Sequence, residues 1–200
     1  MATLNGWIYY IGYVFLTESE KQNNADQLYL YFKNTATQKM TTEAICGLLG
    51  NIERESALNP AMYEGGGGSG RGLIQWTPYT VLTNWCTKYG YTWYSGNVQC
   101  LRIECEGLGT KGASGYWIPT TNYPYSWEEF CNLTDVEEAT KAYCYERERA
   151  GTVALDERIT NAKRWFTYFT GYEPEPSPHP IGELNWYGVY REVLRRQLLI

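Results

Sequence analysis

Apolar residues along this chain recur mostly at helical spacing. The clearest stripe runs between residues 41 and 56, where Ile45, Leu48, Leu49 and Ile52 stand at i, i+3, i+4 and i+7. Thr41 or Thr42 can cap its start, and Glu43 sits in the first turn, where the helix dipole favours an anion. Asn59-Pro60 stops it, because a residue before proline is pushed out of the α region. A second helix is predicted to open with Thr77 at the N-cap and Pro78 as first helical residue. Val81, Leu82, Trp85 and Tyr89 face inward, and Gly90 ends it. A third is predicted over 96–108, with Val98, Leu101 and Cys105 inward.

Ser126-Trp127-Glu128-Glu129 and Thr134-Asp135-Val136-Glu137 both match the capping box. The second is read as the start of a helix reaching about Arg149, with Val136, Ala139 and Tyr143 on one face. Asp156 is placed as the cap of a further helix, with Ile159, Phe166 and Phe169 inward and Gly171 as its stop. "NADQLYLYFKN" predicts a helix around Leu28 to Phe32. Two segments break the helical pattern. "EGGGGSGRG", Glu64 to Gly72, reads as a mobile loop, and "YEPEPSPHP", Tyr172 to Pro180, as a semi-rigid extended linker. Residues 181–200 are too few for a domain of their own. The expected class is mainly α, with one domain over 1–171, a Pro-rich linker over 172–180 and a C-terminal extension over 181–200.

Composition narrows the chemistry. The chain has 17 Lys+Arg against 22 Asp+Glu and no basic cluster, which argues against nucleic acid as a partner. Its 19 Tyr and 8 Trp suit wet apolar clefts, since each ring has an apolar body and a polar handle. No membrane-spanning segment is read. "MATLNGWIYYIGYVFL" is uncharged but broken by Asn5, Gly6 and Gly12, and it lacks a basic n-region and a clear cleavage site, so no signal peptide is assigned. Action outside a cell would then follow lysis or carriage on a particle. The six cysteines show no CxxC spacing, so no metal is expected, and buried free thiols are preferred to disulfides. His179 is the only histidine, which removes the usual partner from Ser-His, Cys-His and His-metal chemistry. The glycine run lacks the Lys-Ser/Thr ending of a phosphate loop. No cofactor is expected, and carboxylates remain as candidate chemistry.

"GNIERESALNP" places Glu53 and Glu55 two residues apart at the end of the first stripe. At about 100° per residue they fall on opposite flanks, so the two cannot act as a pair on one bond. A carboxyl at the rim of an apolar stripe near a helix C-terminus is partly desolvated, which favours its protonated form, as a general acid needs. Helical position alone does not choose between them, and a solvated rim carboxylate remains the plain alternative for both.

"GNIERESALNP" followed by "GRGLIQWTP", "TNW" (83–85), "AYCYERERA" (142–150) and "WFTYF" (165–169) resembles the phage tail lysozyme family over roughly residues 26 to 170. The resemblance implies a lysozyme-like fold, akin to goose-type lysozymes and lytic transglycosylases, with a glycan cleft. It implies cleavage of the β-1,4 bond between N-acetylmuramic acid and N-acetylglucosamine in peptidoglycan, at a phage tail tip. Peptidoglycan strands are then the substrate and other tail proteins candidate neighbours, with no nucleic acid or membrane partner. Glu55 maps onto the family's catalytic glutamate, and Ser56 after it, Gln75 and Trp76 onto substrate-binding positions of the cleft. The "YER" block implies that Tyr145 brings a hydroxyl to the site. Glu64 is the leading candidate for a base that activates water, with Asp26, Glu104 and Glu146 behind it; without such a base the muramic acid 6-hydroxyl would attack internally. The stretch between Pro60 and Gly70 is shorter and richer in glycine than the family pattern, and "RAGTVALDE" replaces its proline-containing loop. The rival reading is a non-catalytic wall-binding tail protein.

Overall fold

The protein is described by a computed structural model covering residues 2–148 and 153–171. The expected linker, the C-terminal extension and the helix end at Arg149 lie outside the described residues. Two short strands, β1 (Ala2–Leu4) and β2 (Trp7–Tyr9), precede seven α-helices among the described residues. These are α1 (Glu18–Leu30), α2 (Thr42–Ser56), α3 (Thr80–Tyr89), α4 (Gly96–Leu108), α5 (Trp127–Cys131), α6 (Val136–Tyr143) and α7 (Leu155–Thr170).

Helix α2 is the core. Thr41 caps it, its hydroxyl accepting from Ala44 N at 3.1 Å. Every residue from Ala44 to Ile52 is buried, so the helix is wrapped on all sides rather than faced by a single stripe. Ile45, Leu48, Leu49 and Ile52 are fully enclosed, each worth about 1.5–3 kcal/mol of burial before entropy is counted. Gly47 and Gly50 make the wrapping possible. A methyl group at Gly47 would stand 2.7 Å from the Ala139 side chain on α6. One at Gly50 would stand 2.7 Å from the Ala162 side chain on α7 and run into the Arg158 carbonyl. The close crossing with α7 matters below, because it brings Arg158 to the end of α2.

The N-terminal residues, expected as apolar chain broken by Asn5, Gly6 and Gly12, form a hairpin. Asn5 and Gly6 form its two-residue loop at φ 53° and 84°, the positive-φ pair that twists with its strands. Trp7 is thereby driven into the core, where its indole N–H donates to Asn97 Oδ1 at 2.9 Å. Asn24 on α1 locks this hairpin, exchanging bonds with Ile8 N and O and also donating to Leu58 O.

Local start signals were moved in three places. Thr77 Oγ1 donates to Gln75 O instead of capping, and α3 begins at Thr80 with Pro78 and Tyr79 carbonyls receiving its first N–H groups. Asp135, not Thr134, caps α6, accepting from Glu138 N at 2.8 Å. Asp156 lies inside the first turn of α7, whose buried face is Arg158, Ala162 and Trp165, with Ile159, Phe166 and Phe169 half-buried. On α4 the inner face carries Gln99, Arg102, Glu104 and Glu106 beside Cys100, Ile103 and Cys105. The Ser126–Glu129 capping box, the limits of α4, and the glycine stops at Gly90 and Gly171 form as predicted. All six cysteines are buried free thiols. No helix among the described residues is long and apolar enough to cross a membrane.

Candidate active site

A cavity of about 650 Å³ opens beside the C-terminal end of α2. Glu55, Glu64, Gln75 and Trp76 line it together, with Tyr13, Tyr63, Tyr116, Arg147 and Glu148 completing much of its wall. Glu55 reaches it from the last turn of α2, where the helix breaks at Ala57 and Leu58, both at positive φ (49° and 61°). Two such residues in succession are strained, and Asn59 holds the chain that follows. Its amide donates to Tyr10 O at 2.8 Å and Val14 O at 2.9 Å, and Tyr10 N donates back at 3.2 Å. That clasp carries Tyr13 to the cavity, where its ring lies so close to Gly65 that an added Cβ would stand 2.9 Å from it.

Glu55 is not a lone rim carboxyl. Its side chain is 20% exposed and is ion-paired with Arg158 of α7, itself 2% exposed. The guanidinium also donates to Val153 O at 2.8 Å and to Asn51 Oδ1 at 3.1 Å. Asn51 is fixed in turn by donating to Gly47 O and Thr140 O. A positive charge therefore stands on the carboxylate, placed by the tight α2–α7 crossing. Burial and the helix end, the effects visible in the sequence, do not reveal this partner.

Glu64 starts the glycine loop. Its carboxylate accepts from Gly70 N at 2.7 Å, and its own N–H donates to Gly70 O at 3.0 Å, so the loop closes on itself at the cavity edge. Gln75, at φ 49°, turns its amide to Gly72 O at 2.8 Å. Trp76 is buried, and its indole N–H donates to Glu106 Oε1 at 2.7 Å. Glu106 is also held by Arg102 at 2.9 Å and by Arg147 at 2.5 Å, and both guanidinium groups lie over the Tyr116 ring, 5.0 and 5.4 Å from its centroid. One wall of the cavity thus rests on a buried charge cluster that sets the positions of Trp76, Tyr116 and Arg147.

Two expected site residues stand elsewhere. Ser56 is buried and its hydroxyl donates to Ile52 O within α2. Tyr145 stacks on Tyr123, with ring centroids 5.1 Å apart and planes 9° from parallel, outside the cavity lining. From Cys144 to Glu148 the chain runs as a π-helical turn, wider than an α turn. Arg147 and Glu148 reach the cavity from this turn. Asp26, Glu104 and Glu146 are not in the lining. Glu104 accepts from Tyr31 Oη and from the Thr37 and Gln38 amides, and Glu146 from Tyr125 N. Burial pushes the Glu146 carboxyl up to about 8.

Residues 23–169 match the phage tail lysozyme family, and the chain belongs to that family. Its mainly helical fold with one small sheet is that of a lysozyme-like single domain. The chain is also similar to a protein of Bacillus phage B103 named morphogenesis protein 1. The two are 31% identical over 169 residues, covering 82% of this chain and 44% of that protein. This chain therefore spans less than half the length of that relative.

Proposed function

We propose that the protein is a muramidase-type glycosidase that cuts the β-1,4 bond between N-acetylmuramic acid and N-acetylglucosamine, acting from a phage tail tip on the host wall. The observation that carries this reading is Glu55, gripped by a buried arginine and opening onto a cavity lined by Tyr13, Tyr63, Gln75 and Trp76. Aromatic faces and a fixed amide suit sugar rings and N-acetyl groups, and a rigidly held carboxyl suits proton transfer to a glycosidic oxygen. As that proton arrives, the bond to the anomeric carbon breaks and its electron pair stays on the leaving oxygen, while oxocarbenium character develops in the ring. Glu64, across the glycine loop on the same cavity, is the candidate to take the proton of an attacking water. In that role its carboxylate leaves the Gly70 amide.

Purified cell walls provide the test. A muramidase clears their turbidity and releases reducing sugar ends, as read by mass analysis. Anhydro ends would instead show internal attack by the muramic acid 6-hydroxyl, with Glu55 alone as acid and base. Binding to walls without any clearing would replace the enzyme by a glycan-binding tail protein.

A further inference from the structure

Glu55 and Glu148 line the cavity together, Glu106 lies buried against the lining residues Trp76 and Arg147, and cations are unevenly shared among the three. Glu106 takes both Arg102 and Arg147. Glu55 takes Arg158. Glu148, on the same cavity wall, has a sequestered Oε1 with no hydrogen-bond partner among the described residues. The Tyr143 hydroxyl is fully enclosed and likewise unpartnered among the described residues, and near enough that the charges of Glu148, Glu106 and Glu55 all act on it. An ionised carboxylate with one oxygen sequestered and without a donor is costly, so this corner of the cavity suits a neutral acid.

We propose that Glu148 and Glu55 share one proton, which rests on Glu148 in the empty cleft and passes to Glu55 when a glycan is bound. The idea rests on the muramidase reading above. In the step proposed, the proton leaves Glu148 and enters the Glu55 carboxylate, directly or through a water molecule. Glu55 passes it to the glycosidic oxygen as the bond to the anomeric carbon breaks. Both carboxylates are then ionised. The water that adds to the sugar carbon gives one proton to Glu64, which releases it to solvent, and the pair takes one back, so each turnover consumes one water and restores the starting state. Glu148 is a positioning residue in this scheme, acting through Glu55.

The surroundings support where the proton rests. Burial raises the Glu148 carboxyl above the usual carboxylate range, and the negative charge of Glu55 raises it further. Arg147 on its own turn and Arg158 on α7 oppose this, and Glu106 on α4 adds to it. Removing the Glu55 charge therefore lets Glu148 ionise more easily, a direction that ordinary burial would not give.

The test combines carbon-13 NMR titration of the Glu148 carboxyl, in the wild-type protein and in Glu55→Gln, with wall lysis against pH for wild type and Glu148→Gln. The expected result is a Glu148 midpoint well above the usual range, moving down in Glu55→Gln. In Glu148→Gln the lysis optimum shifts to lower pH, because Glu55 must draw its proton from solvent. Stability gives a third reading that needs no activity. A carboxyl raised in the folded state costs stability as pH climbs from its ordinary range towards the raised one, so the melting temperature of Glu148→Gln should gain on wild type across that interval. A Glu148 midpoint in the ordinary range, or one indifferent to Glu55→Gln, overturns the proposal. So does a lysis profile unmoved by Glu148→Gln. Coupled titration in a protein that never clears walls would overturn the muramidase reading and leave the shared proton standing.

Discussion

Glu53 and Glu55 leave the same helix two residues apart and meet opposite surroundings. The Glu53 side chain is 8% exposed and surrounded by donors: Lys21 at 3.1 Å, Arg164 at 2.5 Å and the Trp165 indole at 2.9 Å. It pins α2 to α1 and α7 beside a shallower depression lined by Phe15, Glu18, Lys21 and Arg164. Glu55 has one cation and an open side. A carboxylate whose lone pairs are all taken holds structure together, whereas one with a free face can receive a ligand. The difference lies in the number of donors that α7 delivers to each flank, since both residues share type, helix and nearly the same depth.

The largest effect expected from this contrast is at Glu55. Glu55→Gln should abolish wall clearing, a loss of at least the roughly 10²–10⁴-fold typical of a missing proton donor. The amide oxygen still accepts from Arg158, so stability should change by only about 1 kcal/mol. Turbidity and a thermal melt on one preparation measure both. A variant that clears walls at the wild-type rate would return Glu55 to the structural class of Glu53.

Glu64→Gln comes next. If water is the attacking group and Glu64 its base, clearing should slow by at least about 10²-fold. The glutamine can still accept from Gly70 N, which keeps the loop closed. Wild-type rates together with anhydro ends would leave Glu55 as the single acid and base.

What was legible in the sequence was local. The α2 stripe, the Ser126 capping box and the glycine stops follow from spacing within a few residues, and the structure keeps them. Glu55, Gln75 and Trp76 were reachable through short motifs and Glu64 through its place on the glycine loop, and the four line one cavity. Arg158 was not reachable. It lies 103 positions from Glu55, and the contact exists because Gly50 lets α7 approach α2. Tyr13 was hidden because the clasp that places it runs through Asn59, some 45 residues on. Asn5-Gly6 is itself a hairpin signal, and the hairpin forms there. Tyr145 came from the "YER" block, and a short motif does not show that its ring stacks on Tyr123 beside a π-helical turn.

Glu53→Gln should show the reverse of Glu55→Gln. The amide presents two hydrogens to a nest of donors, leaving Arg164 and Lys21 without their anion. A stability loss of about 1–3 kcal/mol is expected, with the clearing rate per folded molecule unchanged. Urea melts read the first quantity, and turbidity normalised to folded protein the second. Loss of clearing at full stability would mean that Glu53 contributes to the chemistry.

The smallest effect separates the inner and outer parts of the Glu53 network. Arg164 is 42% exposed and also reaches Glu18 at 3.3 Å, whose side chain is 61% exposed. Exposed pairs of this kind are worth about 0–1 kcal/mol, and salt screens them over a Debye length of about 10 Å at 0.1 M. Lys21 and the Trp165 indole remain on Glu53 when Arg164 is removed, so the anion is never left bare. Arg164→Gln should therefore cost less than about 1 kcal/mol, and the gap from wild type should narrow as sodium chloride is raised. Arg158, enclosed between α2 and α7, has no such exposure, so Arg158→Gln should show a deficit that salt does not erase. Melts of both variants along one salt series decide the matter: parallel narrowing in the two would place the Glu55 ion pair in the same screened class as the outer network and dissolve the contrast between the two flanks of α2.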